Sequence, residues 1–264
     1  MSKQNIVFIH GAWVTSRCWD NFMEYFQAKG FNCLAPDWPY DDRPMAELRA
    51  KPAPALAKLG IGEIVDHYAA IITGLDEPPF LIGHSFGGLF TQMLLDRGLG
   101  KAGVALNSAP PKGIFPTPAA IRGSLPVLTA WQGWQKILTV SEKHFSQFFA
   151  NGFPESERGR AYQTYVVPTP GRIFFQAATA QFHNHLALNY DNPTRAPLLL
   201  TAGGIDKTVP AALNRTNYKK YARSSAQTDF KEFPNRSHTL IMEPGWEEVA
   251  DYIAGWLGQL PGHS

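Results

Sequence analysis

The chain is short of cysteine, of charge and of long apolar runs, and each shortage removes a class of protein. Only two cysteines occur in 264 residues, Cys18 and Cys33. That is too few for a disulfide framework, and both read as small buried apolar residues. No His, Cys and carboxylate cluster stands at ligand spacing, so neither a metal nor another cofactor is expected. Charged residues make up 17% of the chain and the formal net charge is +2, with no run of one sign. Nucleic acid would find no electrostatic footprint here. The first apolar run, Ile6 to Ile9, is too short for a signal peptide, and no stretch approaches the roughly 20 apolar residues of a membrane helix. The expectation is a cytoplasmic protein with no nucleic-acid or membrane partner. Its 44% hydrophobic content is enough for a large core.

What is present is an alternation of short apolar runs and helical patterns. Ile6 to Ile9 reads as a buried strand ended by His10-Gly11, and it leaves no room for earlier strands. Ser16 is expected to cap a helix carrying Trp19, Phe22, Met23 and Phe26 on one face. Further strands are expected at Asn32 to Ala35, Phe80 to Gly83, Ala102 to Leu106, Pro197 to Ala202 and Thr228 to Phe233. Helices are expected near 61–75, 86–97, 211–221 and 246–257. Strand and helix in turn imply right-handed crossovers and a parallel sheet. Residues 38–58, rich in proline and charge, read as a long surface excursion. From about Pro110 to Ala196 the alternation stops, and helical patterns thick with aromatics take over. The expected architecture is an α/β core, residues 1–109 and 197–264, with a helical cap, residues 110–196, inserted after the fourth strand.

The most informative stretch is Gly83-His84-Ser85-Phe86-Gly87, a G-x-S-x-G match between a strand and a helix. In that setting the serine sits on a tight turn with its Oγ lifted clear of the sheet, at a helix N-terminus. A serine hydroxyl needs a base, and the base needs an orienting group. In parallel sheets ligands bind outside the carboxyl ends of the strands, so the partners belong in strand-end loops. His238 follows the last strand and comes after the serine in chain order, which makes it the candidate base. His10 more plausibly braces its own loop, and His84 points the wrong way along the turn. His183 and His185 lie in the cap, where they could touch substrate. Asp206, in Gly203-Gly204-Ile205-Asp206, is the candidate acid. The other slot, after the fourth strand, holds Asn107, an amide that cannot stabilise an imidazolium as a carboxylate does. Asp37 reads as a structural turn. Two backbone amides, those of Ala12 and Phe86, are expected to form an oxyanion hole. Trp13, Trp131, Trp134 and His183 are expected at a substrate pocket.

Taken together, His10-Gly11-Ala12-Trp13, the Gly83-to-Gly88 elbow, Gly203 to Pro210 and Ser237-His238 resemble the α/β-hydrolases over nearly the whole chain. The His-Gly-Ala-Trp string is similar to that of the plant methylesterase and hydroxynitrile lyase group and of many small bacterial esterases. The early first strand fits members lacking the first two antiparallel strands. The resemblance implies a mostly parallel six-stranded sheet flanked by helices. It also implies an acyl-enzyme mechanism through Ser85, Asp206 and His238 without a cofactor. Ser85 departs from the aspartate nucleophile of dehalogenases and epoxide hydrolases. Thr239 departs from the lysine that follows the histidine in hydroxynitrile lyases. The expected partner is a small ester, and a homodimer is left open. Perhydrolase, carbon–carbon hydrolase, acyltransferase and non-catalytic receptor readings stay open beside the esterase.

Overall fold

The computed structural model describes residues 3–184 and 186–261. In chain order it runs β1 (Asn5–Ile9), α1 (Asp20–Ala28), β2 (Asn32–Leu34), α2 (Met45–Ala50), α3 (Ile61–Thr73), β3 (Phe80–His84), α4 (Phe86–Asp96) and β4 (Ala102–Leu106). A long insertion follows. It holds α5 (Pro118–Leu128), β5 (Ile137–Leu138), α6 (Glu142–His144), a π turn (Phe145–Phe149), α7 (Glu155–Tyr165), β6 (Thr169–Pro170) and α8 (Arg172–Ala178). The core then resumes with β7 (Leu198–Gly203), α9 (Ala211–Lys220), β8 (Thr228–Phe233) and α10 (Glu247–Gly258).

Six strands form one sheet in the order β2-β1-β3-β4-β7-β8, and every pair is parallel. The period of two along each strand explains why both faces are covered. Ile6, Phe8, Ile82 and Val104 point into one apolar cluster, with Phe22 and Phe26 of α1 and Val249, Ile253 and Trp256 of α10. Val7, Ile9, Leu81 and Ala105 point into the other, with Ile64, Val65 and Tyr68 of α3 and Leu89 and Phe90 of α4. The inner strands β1, β3, β4 and β7 are therefore apolar runs, whereas the edge strand β8 alternates polar and apolar residues, and the sheet orders its loops at one rim.

Two local readings of the sequence are corrected. Ser16 does not cap α1. Thr15 caps a 3-10 turn over Ser16–Trp19 by accepting from the Arg17 amide, and α1 starts only at Asp20. Residues 38–58 are also more than a surface excursion. They fold into α2 and a 3-10 turn, Pro54–Lys58, and bury Trp38, Leu48 and Leu56. Arg49 of this segment donates to the carbonyls of Tyr162, Gln163 and Val166 in the insertion. The prolines that suggest a loop here start α2 and the 3-10 turn, where a missing amide hydrogen costs nothing. Within the insertion, β5 and β6 make a small antiparallel ladder of two residues each, too short to leave a period in the sequence.

Candidate active site

The site begins with a backbone strain. Ser85, between β3 and α4, sits at φ 57°, ψ −119°, a conformation that costs a non-glycine residue roughly 1–3 kcal/mol. The neighbouring loops hold it there. The Ser85 amide donates to Leu106 O at 2.9 Å, and the Ser85 carbonyl accepts from Gly88 and Ala109, both at 3.0 Å. The glycines on either side are required by space. A Cβ at Gly83 would lie 2.1 Å from Gly87 O, and one at Gly87 would lie 1.9 Å from Ile9 O.

Two further strand ends meet the serine. His238, in the loop after β8, places Nε2 at 3.1 Å from Ser85 Oγ and Nδ1 at 2.7 Å from Asp206 Oδ2. Asp206 follows β7, and its other oxygen accepts from the amides of Thr208 at 2.7 Å and Val209 at 2.8 Å. All three side chains are buried. An ionised carboxylate can only accept, so the hydrogen on the neutral imidazole belongs on Nδ1. Nε2 is left as the acceptor for the serine hydroxyl.

The loops are braced from behind by residues whose part is not evident in the sequence. Asn107, at φ 44° after β4, donates through Nδ2 to Ser237 O at 2.9 Å and His238 O at 3.3 Å. Its Oδ1 accepts from the Gly203 amide at 2.7 Å. One side-chain amide thus ties the His238 loop to the strand that delivers Asp206, work that a carboxylate, lacking donors, cannot do. His84 points away from the serine hydroxyl, and its Nε2 lies 2.6 Å from His238 O. Against a carbonyl that nitrogen must be the donor. Burial, and then the nearby His238, hold the His84 imidazole well below its ordinary pKa, so it stays neutral. Glu243 lies under the same loop. Its Oε1 accepts from the Ser237 amide at 3.0 Å, and its Oε2 accepts from the hydroxyls of Ser237 and of Thr239, the latter at 3.2 Å. Glu243 follows the apolar run Leu240-Ile241-Met242, and an isolated acid after such a run is a sign of a buried, satisfied carboxylate.

The loop after β1 supplies the last wall. His10 is buried, which lowers its pKa. Its Nδ1 donates to Gly11 O at 2.9 Å and its Nε2 accepts from the Trp38 amide at 3.2 Å, with its ring stacked on Trp38. So held, the loop passes close to the serine: a Cβ on Gly11 would stand 2.8 Å from Ser85 Cβ. Among the described residues, the amides of Ala12 and Phe86 meet no hydrogen-bond acceptor. Both residues border the same cavity as Ser85.

That cavity measures about 350 Å³. Trp13, Phe149 and Phe174 line it together with the serine, α5 and α8 form the outer walls, and among the described residues no charged side chain lines it. Its other polar side chains are partly engaged by the fold. Ser124 Oγ donates to Ala120 O, Thr208 Oγ1 donates to Phe148 O, and Gln181 is spent on Ile114 O and the Gly113 amide. Trp13 stacks on Phe174 at 4.5 Å and meets Phe149 edge-on at 5.4 Å.

Three expected pocket residues lie elsewhere. Trp131 and Trp134 follow the C-terminal end of α5 and are exposed, and neither lines the cavity; Trp134 packs edge-on against Phe175 instead. His183 is exposed and outside the lining as well. His185 falls outside the described residues. Aromatic density in the insertion is the signal for the tryptophans and position in the cap the signal for the histidines, but neither says which face of a short helix turns inward. Phe174 turns inward, whereas Phe175 does not line the cavity.

A parallel sheet with a strained serine at its strand-end rim, facing histidine and aspartate from two other loops, defines the architecture of a known class. The alpha/beta hydrolase family model matches residues 6–252, and the chain belongs to that family. Solved structures agree on the fold. A methylesterase from Arabidopsis, MES16, superposes with a TM-score of 0.71 at 13% identity, covering 97% of this chain and 100% of its own. Methylketone synthase I from tomato gives 0.71 at 14%, covering 98% and 99%. A monoacylglycerol lipase from Paleococcus ferrophilus gives 0.68 at 21%, covering 100% and 97%. No curated protein matches the sequence. Among the described residues no helix is long and apolar enough to cross a membrane, and no group of His, Cys, Asp and Glu could hold a metal ion.

Proposed function

We propose that the protein is a serine hydrolase that cleaves carboxylic esters whose acyl and alcohol parts are uncharged and largely apolar. Ser85 Oγ attacks the ester carbonyl while His238 Nε2 takes its proton. Asp206 holds the Nδ1–H tautomer and stabilises the imidazolium. The amides of Ala12 and Phe86 receive the oxyanion of the tetrahedral intermediate. His238 then protonates the leaving alkoxide, and water deprotonated by the same imidazole releases the acid.

The observation that carries this reading is the unbroken chain from Asp206 Oδ2 to His238 to Ser85 Oγ, at 2.7 and 3.1 Å. It ends beside two unclaimed amides on the wall of an uncharged cavity. That lining selects the substrate. An anionic or phosphorylated group would lose its hydration there and find no cation to pair with. The methylesterase and the monoacylglycerol lipase among the structural neighbours fit the same chemistry. Replacing Ser85 by alanine is expected to lower kcat/KM on a neutral aryl ester by roughly 10⁵-fold. Retention of most of the turnover in that variant refutes the assignment.

A further inference from the structure

The insertion exposes apolar side chains where a water-facing surface would place polar ones. Phe115, Trp131 and Phe182 are exposed by 73%, 79% and 83% of their surface, and Ile121, Leu125 and Trp134 by more than two-fifths. Six of the ten most exposed large hydrophobics among the described residues fall in this one segment. Four of the six stand at the border of the cavity. Phe115 adjoins Pro116, Leu125 adjoins Ser124, Phe182 adjoins Gln181, and Ile121 itself borders the cavity. Gln181 bonds to Ile114 O, which brings the Phe182 and Phe115 turns together.

Along the chain the exposed rings fall in intervals that carry basic residues only. No Asp or Glu occurs between Asp96 and Glu142, or between Glu157 and Asp191. Besides Arg97, paired with Asp66, and Lys101, the first interval carries Lys112, Arg122 and Lys136; none of these three makes an ion pair among the described residues, and Lys112 donates to Asn184 Oδ1. Exposed aromatics with unpaired cations suit an anionic lipid surface, where rings enter the headgroup layer and cations meet phosphate. A two-fold contact between copies suits them poorly, since it would set like charges against each other and close the cavity mouth. We propose that this face of the insertion docks on anionic lipid, with the cavity mouth turned towards it. The docking itself does not depend on Ser85 chemistry. Only the corollary, that the ester is drawn from the lipid phase, rests on the function proposed above. Absence of a membrane helix in the sequence excluded spanning and suggested no membrane partner; docking at the interface is a separate property, visible only once the rings are placed.

Flotation with large unilamellar vesicles tests it without using activity. The whole chain is expected to float at low salt with phosphatidylcholine vesicles that are one-third phosphatidylglycerol, and far less with phosphatidylcholine alone. Trp131→Ser with Phe182→Ser is expected to weaken that binding about tenfold or more, because two rings leave the headgroup layer. Turnover of a water-soluble monomeric ester should be unchanged in that variant, which also shows that it is folded. Arg122→Gln with Lys136→Gln should weaken binding roughly fivefold or more per charge, and added salt should erase the difference. No flotation with the anionic vesicles overturns the proposal, as does flotation that the ring variant leaves intact. A dimer in solution that the ring variant converts to monomer overturns it in favour of a second copy on this face. Flotation by a protein with no esterase activity would sink the function above and leave the docking surface standing.

Discussion

Around Ser85 the chain is held by backbone amides and carbonyls at the ends of a parallel sheet. Above it, residues 38–58 and 110–196 are held by side chains that reach across long gaps in sequence. At the rim, Ser85 is fixed by Leu106, Gly88 and Ala109, and Asp206 by the amides of Thr208 and Val209. In the covering segments, the ties include Arg49 to three carbonyls about 115 residues away and Trp13 Nε1 to Leu138 O. Sheet register fixes the rim, as catalysis by positioned groups requires. Scattered side-chain ties leave the cover freer to change, and it is the cover that supplies most of the cavity wall. On this account the rim sets the reaction and the cover sets the substrate.

Substitutions should separate the two. The largest effect after loss of the serine is expected from Asp206→Asn. The amide would favour the wrong imidazole tautomer and lower kcat by roughly 10³- to 10⁴-fold, with the fold intact by circular dichroism. A loss under tenfold would mean that the rim is not the reacting part. Glu243→Ala comes next. It leaves the buried Ser237 amide without an acceptor and the Ser237 and Thr239 hydroxyls with only Phe149 O to share, so stability should fall by roughly 1–3 kcal/mol. The His238 loop should loosen enough to lower kcat by about tenfold with KM little changed. Unequal effects on KM and kcat, read from steady-state kinetics, distinguish this from plain destabilisation.

The cover should answer differently. Arg49→Ala removes three hydrogen bonds to the insertion and is expected to cost roughly 1 kcal/mol. Limited proteolysis within 150–170 should quicken and KM should rise, with kcat nearly unchanged. A fall in kcat of the size seen for Asp206→Asn would erase the distinction between rim and cover. The smallest effect concerns Asp41, which is buried in the 38–58 segment. Burial, reinforced by Asp37 and Asp42 and opposed by Arg43, pushes its carboxyl up from 3.8 to about 8. Between those values the folded protein binds more protons than the unfolded chain, so stability should decline as pH rises from about 4 to about 8. Asp41→Asn should flatten that slope in thermal melts. An unchanged slope would assign the pH dependence elsewhere.

The division also explains what the sequence could tell. The inner strands β1, β3, β4 and β7 are short apolar runs because both faces of the sheet are covered there, and that pattern is readable without neighbours. The G-x-S-x-G turn is readable because Gly83 and Gly87 are compelled by contacts within one supersecondary unit. His238 and Asp206 follow from chain order and strand ends. Asn107 and Glu243 are harder, since each works by bonding to a loop 130 residues away or to a carboxylate's immediate neighbours, and a lone amide or acid carries no period. Residues 38–58 and the insertion are harder still. Their helices are short, and Trp131 and Phe174 look alike in sequence while one faces outward and the other the cavity.

The most direct measurement is peptide-level mass spectrometry of the intact protein after treatment with a fluorophosphonate, which reacts only with an activated serine. A single adduct on the peptide carrying Ser85, formed rapidly by the wild type and much more slowly by Asp206→Asn, is the predicted result. A folded protein that takes up no probe at Ser85, or takes it up elsewhere, would contradict the account.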